Sequence, residues 1–313
     1  MSQFQALLLK DYRTTRKGLL VPAYILAGIY LVSILAYVIA RVHFGPNSGA
    51  VQMSLADIPT PFLTNMDFHA MVSFSMQVLM FMSFFGIVVG ISLIVVSSSL
   101  LNSDVHNKCE LFHRSQPVTV WEITGSRFLI GIGGSLAVAL ALGFINMIVM
   151  NVVSLIWTPL HVNWWMSFNG LILSFLHIGV ALMLLGTICF TLSAIFRTNA
   201  FGKGILGLGG IEIAIQIVNY LFRFRIPSPS ASFFKFIMSG FGKLNMEITT
   251  QKYGAFASAA AKPSDIANFR LPPDFLSAMW STLFTWNTVE KLLICAALYV
   301  IATYIYQQRE VQQ

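Results

Sequence analysis

Charge is what this chain has least of. Only 10% of its 313 residues are Asp, Glu, Lys or Arg, against about 25% in an ordinary soluble domain. With 56% hydrophobic residues and a mean hydropathy of +0.74, that shortage excludes a disordered protein, a fibrous repeat and a conventional soluble enzyme. Cysteine is scarcer still. There are three, with Cys189 and Cys295 inside apolar runs and Cys109 in a polar stretch, so no disulfide framework or CxxC pair is present.

Acidic residues number 12 against 19 basic, a net charge of +7. No basic domain interleaved with aromatics stands outside the apolar runs, which excludes nucleic acid as the partner. The surplus reads instead as membrane orientation, because Lys and Arg gather at the cytoplasmic ends of spans. A phosphate-binding loop is also lacking. Phe201-Gly202-Lys203-Gly204 does not have the spacing that cradles phosphates between a strand and a helix. No nucleophile and base share a common depth, so the chain is not read as an enzyme, and any ATP it uses is bound by another polypeptide.

What is present is a series of long apolar runs, several beyond the ~18 residues that read as a membrane span. The fold class is an all-α polytopic membrane protein with six transmembrane helices, at about 19–40, 72–101, 126–157, 168–195, 201–222 and 289–306. Residues 1–18 form an entry segment. Phe4, Leu7, Leu8 and Tyr12 gather near one helical face and Lys10, Arg13, Arg16 and Lys17 cover much of the rest, the pattern of an interfacial amphipathic helix. Pro22 suits the first turn of the span that follows.

Lys and Arg mark 1–18, the loop 102–125, the loop 196–204 and the tail, whereas 158–166 has neither. Both termini are therefore expected in the cytoplasm of a cell-membrane protein. Segment 223–288 is expected outside, although it holds seven basic and three acidic residues. There Pro227 and Pro229 break the helix, 232–241 is too short to span, and 243–272 is a polar excursion. Residues 275–286 read as a re-entrant or interfacial helix with Trp280 and Trp286 at headgroup level. Asn287 and Glu290 offer a capping-box-like start to the last span, 289–313 with its tail.

Few polar residues interrupt the runs. Glu212, Gln216 and Asn219 fall at i, i+4 and i+7 in the fifth span. They form either a substrate-path stripe or polar glue between helices. Asn146, Asn151 and His177 read as packing hydrogen bonds. Gly133, Ala137 and Ala141 recur every four residues, a spacing that permits close helix approach. In the loop, His106, Cys109 and His113 share a helical face and are zinc ligands by type, but without metal-site spacing.

The loop supplies a resemblance. Glu110-Leu111, then Ser115-Gln116-Pro117-Val118, then Gly125 and Arg127 opening the third span, resemble the corresponding loop of ABC-2 type transporter permeases. The entry helix, the six spans and the short helices before the last span agree in layout, whereas the long 223–288 segment departs from it. The resemblance implies the permease subunit of an ATP-driven exporter, paired with a second permease subunit, equal or different. It also implies two copies of a cytosolic ATPase that carry ATP and Mg, while this chain holds no cofactor. The loop would be a coupling helix, with Asp104, His106, Lys108, Glu110, Phe112, His113, Arg114 and Pro117 at the ATPase. Glu212, Gln216 and Asn219 would line the path, and an external protein is a further partner for 223–288. The competing expectations are an ion-coupled secondary transporter centred on Glu212, and a scaffold or mechanotransmitter acting through 223–288.

Overall fold

The computed structural model describes residues 3–44, 64–81, 86–102, 118–157, 161–196, 199–249 and 269–311. These are almost wholly helical. In chain order the helices are α1 (Gln3–Phe44), α2 (Met66–Met80), α3 (Gly86–Ser99), α4 (Val120–Phe128) and, after a π-helical segment at Leu129–Gly133, α5 (Gly134–Trp157). Then come α6 (Trp164–Ile195), α7 (Ala200–Phe222), α8 (Pro229–Thr249), α9 (Phe275–Ser281) and α10 (Trp286–Val311). Five stretches are long and apolar enough to cross a bilayer: Phe4–Ala36, Val120–Leu155, Trp164–Ile195, Ala200–Phe222 and Phe275–Gln308. With their many exposed apolar side chains, they make this a multi-pass membrane protein.

The entry helix and first span are not separate. α1 runs unbroken for 42 residues, roughly 63 Å at 1.5 Å per residue. Pro22 therefore lies deep inside a helix rather than in a first turn. Proline has no N–H to give the carbonyl four residues back, here that of Gly18. The structure supplies a substitute donor, since Ser92 Oγ on α3 donates to Gly18 O at 3.0 Å. Gly18 has no side chain to obstruct this approach, and a Cβ there would stand 2.9 Å from Val96.

The expected second span, 72–101, takes in most of α2 and all of α3, and 82–85 between them lie outside the described residues. The third span begins earlier than expected, at Val120. Thr119 caps it by accepting from Glu122 N, while Glu122 accepts from Thr119 N. The fourth and fifth spans match α6 and α7 within a few residues. Pro229 opens α8 rather than ending a helix. Ser228 is its cap, with Oγ accepting from Ala231 N at 3.2 Å, and proline suits the first helical position because its missing N–H would have had no partner there. α8 extends to Thr249, so the first part of the supposed 243–272 excursion is helical. The rest, 250–268, lies outside the described residues. The expected break before the last span is present, but α10 starts at Trp286 on the carbonyl of Thr285, which accepts from Thr288 and Val289, not at Asn287.

α6 is the centre of the bundle, packing against α10, α2 and α3 most extensively and touching α5, α7, α8 and α9. Of its most apolar window 61% is buried, against none in α7. Small residues let its neighbours close in. A Cβ on Gly170 would lie 2.6 Å from the Phe74 carbonyl of α2, and one on Gly186 would lie 2.7 Å from Leu93 of α3. The expected stripe of Gly133, Ala137 and Ala141 does not do this. All three are exposed, and a Cβ on Gly133 would meet nothing within 4 Å. Gly131 and Gly143 point inward instead, toward Leu100 and Phe81.

Ser92→Ala should cost about 1–2 kcal/mol by stranding the Gly18 carbonyl. In a Pro22→Ala background, which restores that carbonyl's own donor, the same substitution should cost little. Thermal melts of the four proteins in one detergent measure the coupling; simple additivity would remove Ser92 from this role.

Candidate functional site

The two helices that flank 103–117 are tied into the bundle, α3 at its end and α4 through its inner half and the π-helical segment that follows it. α3 finishes at Ser99, followed by buried Leu100 and Leu101. Leu100 fills the space over Gly131, where a Cβ would come within 2.3 Å of its Cδ1. On α4, Ser126 Oγ donates to the Asp11 carboxylate of α1. Neighbouring Arg127 is 3% exposed, with its guanidinium 5.8 Å from the Tyr306 ring of α10. One turn earlier, Thr303 of α10 donates to Thr124 of α4 at 3.2 Å. α1, α3, α4 with the π-helical segment that follows it, and α10 thus form a collar. Asp104, His106, Lys108, Glu110, Phe112, His113, Arg114 and Pro117 all lie outside the described residues, as do the zinc-type residues His106, Cys109 and His113. Among the described residues no three His, Cys, Asp or Glu side chains converge.

Glu212, Gln216 and Asn219 do share a face of α7, and their partners are in the turn to α8. Asn219 grips the backbone of Ile226 from both sides, donating to its carbonyl at 2.9 Å and accepting from its N–H at 3.0 Å. Glu212 accepts from Ser230 N at 3.2 Å and is hydrogen-bonded by Ser228 and Gln216. The chain reverses through Arg223, whose φ of 53° is left-handed. The stripe therefore fastens a helical hairpin.

Comparison with protein-family models, with curated proteins and with solved structures finds no match to this chain. The site must therefore be read from its own chemistry.

A third polar locus was missed by the sequence reading. Lys291 of α10 is 3% exposed and His177 of α6 is 5% exposed. Lys291 Nζ donates to the Ile237 carbonyl of α8 at 2.7 Å and lies 5.6 Å from the Phe236 ring centroid. His177 Nε2 is 3.0 Å from Thr282 Oγ1, in the break between α9 and α10. Gly240 of α8 makes the room, since a Cβ there would stand 3.4 Å from His177 Nδ1 and 3.9 Å from Lys291 Nζ. Two basic side chains thus join α6, α8 and α10 inside the bundle, where ionisable groups are costly and mark function. Sequence pattern gave no warning, because a Lys near the start of a span ordinarily extends its ammonium to the interface. Only the course of α8 buries it. Of the three residues expected to pack by hydrogen bonding, Asn146 accepts from Tyr30 at 2.5 Å and Asn151 from Ser167 at 3.2 Å. His177 alone belongs to this larger cluster.

Lys291→Ala should cost about 3 kcal/mol, from the lost tether and the cavity left by the stem. Lys291→Met keeps the stem and should cost about half as much. Detergent melts check this; a Lys291→Ala protein as stable as the parent would show that the tether carries no weight.

Proposed function

We propose that this chain is the permease subunit of an ATP-driven ABC-2 type transporter, and specifically of an exporter. In this reading it spans the cell membrane six times, with α2 and α3 together serving as the second span and both termini in the cytoplasm. It works with a second permease subunit, the same or different, and with two copies of a cytosolic ATPase that supplies the ATP and Mg chemistry. The chain itself has no catalytic role.

The observation that carries the reading is the collar. A force applied to 103–117 enters α3 beside Leu100, which packs over Gly131 in the π-helical segment that continues α4, and enters α4, which is fixed to α1 by Ser126 on Asp11. Such a join passes a push into helices that reach the core instead of dissipating it in a hinge. Glu110-Leu111 and Ser115-Gln116-Pro117-Val118 stand at the middle and end of that loop, where a docking partner would press. In this proposal Glu212, Gln216 and Asn219 act by holding α7 to α8 beside the path. A second reading, an ion-coupled transporter, is favoured by the buried His177 and Lys291. It moves the coupling site from Glu212 to that pair.

Mild-detergent purification of the tagged chain from its native host tests the assignment. We expect a stoichiometric cytosolic ATPase with measurable ATP hydrolysis, and its loss with Glu110→Arg while the membrane bundle stays folded. A chain that purifies alone, folded and active in an ion-driven uptake assay would replace this reading with the second.

A further inference from the structure

Two cavities adjoin along the seam between α1 and α3, and together they have the form of an amphiphile. The first, of about 270 Å³, has Asp11, Thr14, Thr15, Ser99 and Arg127 on part of its wall and Val95, Val96 and Leu100 on the rest. The second, of about 160 Å³, is a groove walled by Val21, Ile25, Val88, Ile91 and Val95, with Ser92 as its polar member. Gly18, Val95 and Val96 line both, so the two lie side by side with these three residues shared between them. The groove walls are open to the bilayer: Ile91 and Val95 are 59% and 61% exposed.

The charges sit at one end. Lys10 and Arg13 are exposed on α1 and flank a depression that shares Thr14 with the polar cavity. Arg127 lines that cavity from α4, and Asp11, the acid among its walls, is turned to Ser126. The dimensions also fit. Asp11 to Ile25 is fourteen residues of helix, roughly 21 Å. One leaflet from headgroup to midplane is about half of 40–45 Å. The polar cavity therefore falls at headgroup level when the groove lies in hydrocarbon.

We propose that this seam is a binding site for an anionic phospholipid of the leaflet at the N-terminal end of α1. One acyl chain lies in the groove between α1 and α3, and the phosphate is held by Lys10, Arg13 and Arg127. The lipid fills the gap beside Gly18, where Pro22 leaves α1 dependent on Ser92 of α3 for a donor. It thus ties together the two helices that anchor one side of the collar. The site depends on the membrane character of the chain and not on the transporter assignment.

The test is native mass spectrometry of the delipidated full-length chain, titrated with phosphatidylglycerol or with phosphatidylcholine of the same acyl chains. We expect one phosphatidylglycerol per chain, bound about thirtyfold more tightly than phosphatidylcholine, as the two exposed basic residues Lys10 and Arg13 would confer at about 1 kcal/mol each. Lys10→Gln with Arg13→Gln should bring the two lipids within about twofold of each other. Val95→Trp, filling the groove from an exposed position, should abolish retention of both at an unchanged melting temperature; Ile25→Trp tests the opposite wall should the first variant misfold. Equal retention of the two lipids by the parent chain would overturn the proposal. So would failure of the parent to retain either lipid, as when another segment of the chain fills the cavity, or undiminished binding in both folded groove variants.

Discussion

In hydrocarbon no water is present to take up a polar group, so each one inside a bundle has to find its partner on the protein. That constraint organises this structure. Tyr30 reaches across to Asn146, Ser167 to Asn151, Trp280 to Asn169, and Lys291 to the Ile237 carbonyl. Each of these bonds joins two helices. Apolar side chains discriminate poorly between a neighbouring helix and a lipid tail, since both are apolar. The few polar side chains and the few glycines therefore decide which helices become neighbours. The backbone obeys the same rule. Pro22 removes a donor from α1, and the chain answers with Ser92 from a different helix, so a local defect becomes a tertiary contact.

The central position of α6 follows from the same economy of polar and small residues. Gly170 and Gly186 lie on it, and Gly143 of α5 opens space for Phe81 and for Leu171 of α6. With backbones this close, dispersion contacts accumulate over side chains such as Phe74, Leu173 and Phe275, where two aromatic rings meet edge to face at 5.2 Å. The hub also receives polar ties along its length, from Thr282 at His177 and toward the Leu298 carbonyl at Thr191. α10 is thus attached to α6 by both kinds of contact, and through Thr303 and Thr124 it extends that attachment to the collar.

The fourth and fifth spans were legible in the sequence because apolar run and helix coincide there, and polar or Pro-containing stretches end both. Pro22 misled, because proline predicts a boundary when only its own helix is considered, and here the compensating donor lies 70 residues away. The stripe at Gly133, Ala137 and Ala141 had the right spacing but faces outward. Its neighbours Gly131 and Gly134 take the contacts with Leu100 and Leu19. Periodicity identifies a face without identifying what covers it. The stripe of Glu212, Gln216 and Asn219 was found, but its partners in the turn, Ile226 and Ser230, share no spacing that the sequence could show. His177 and Lys291 are 114 positions apart and share no motif, so nothing short of the fold brings them together.

α7 shows how this division of labour bears on movement. Its most apolar window buries nothing, which in water would be a liability and in lipid costs little. It is held at its two ends. Near the first, Gly204 lets Leu192 of α6 come within 2.7 Å of where a Cβ would be. Near the second, Asn219 and Glu212 grip the turn that begins α8. Between those points α7 makes few buried contacts within this chain, the condition under which an element moves at low free energy. α8 is the opposite case, fixed to α10 by Lys291 and packed against His177 of α6. α7 is therefore joined at its turn to a helix that is itself tied to the hub. The residues that complete that connection are the same polar side chains that the membrane obliges to find partners.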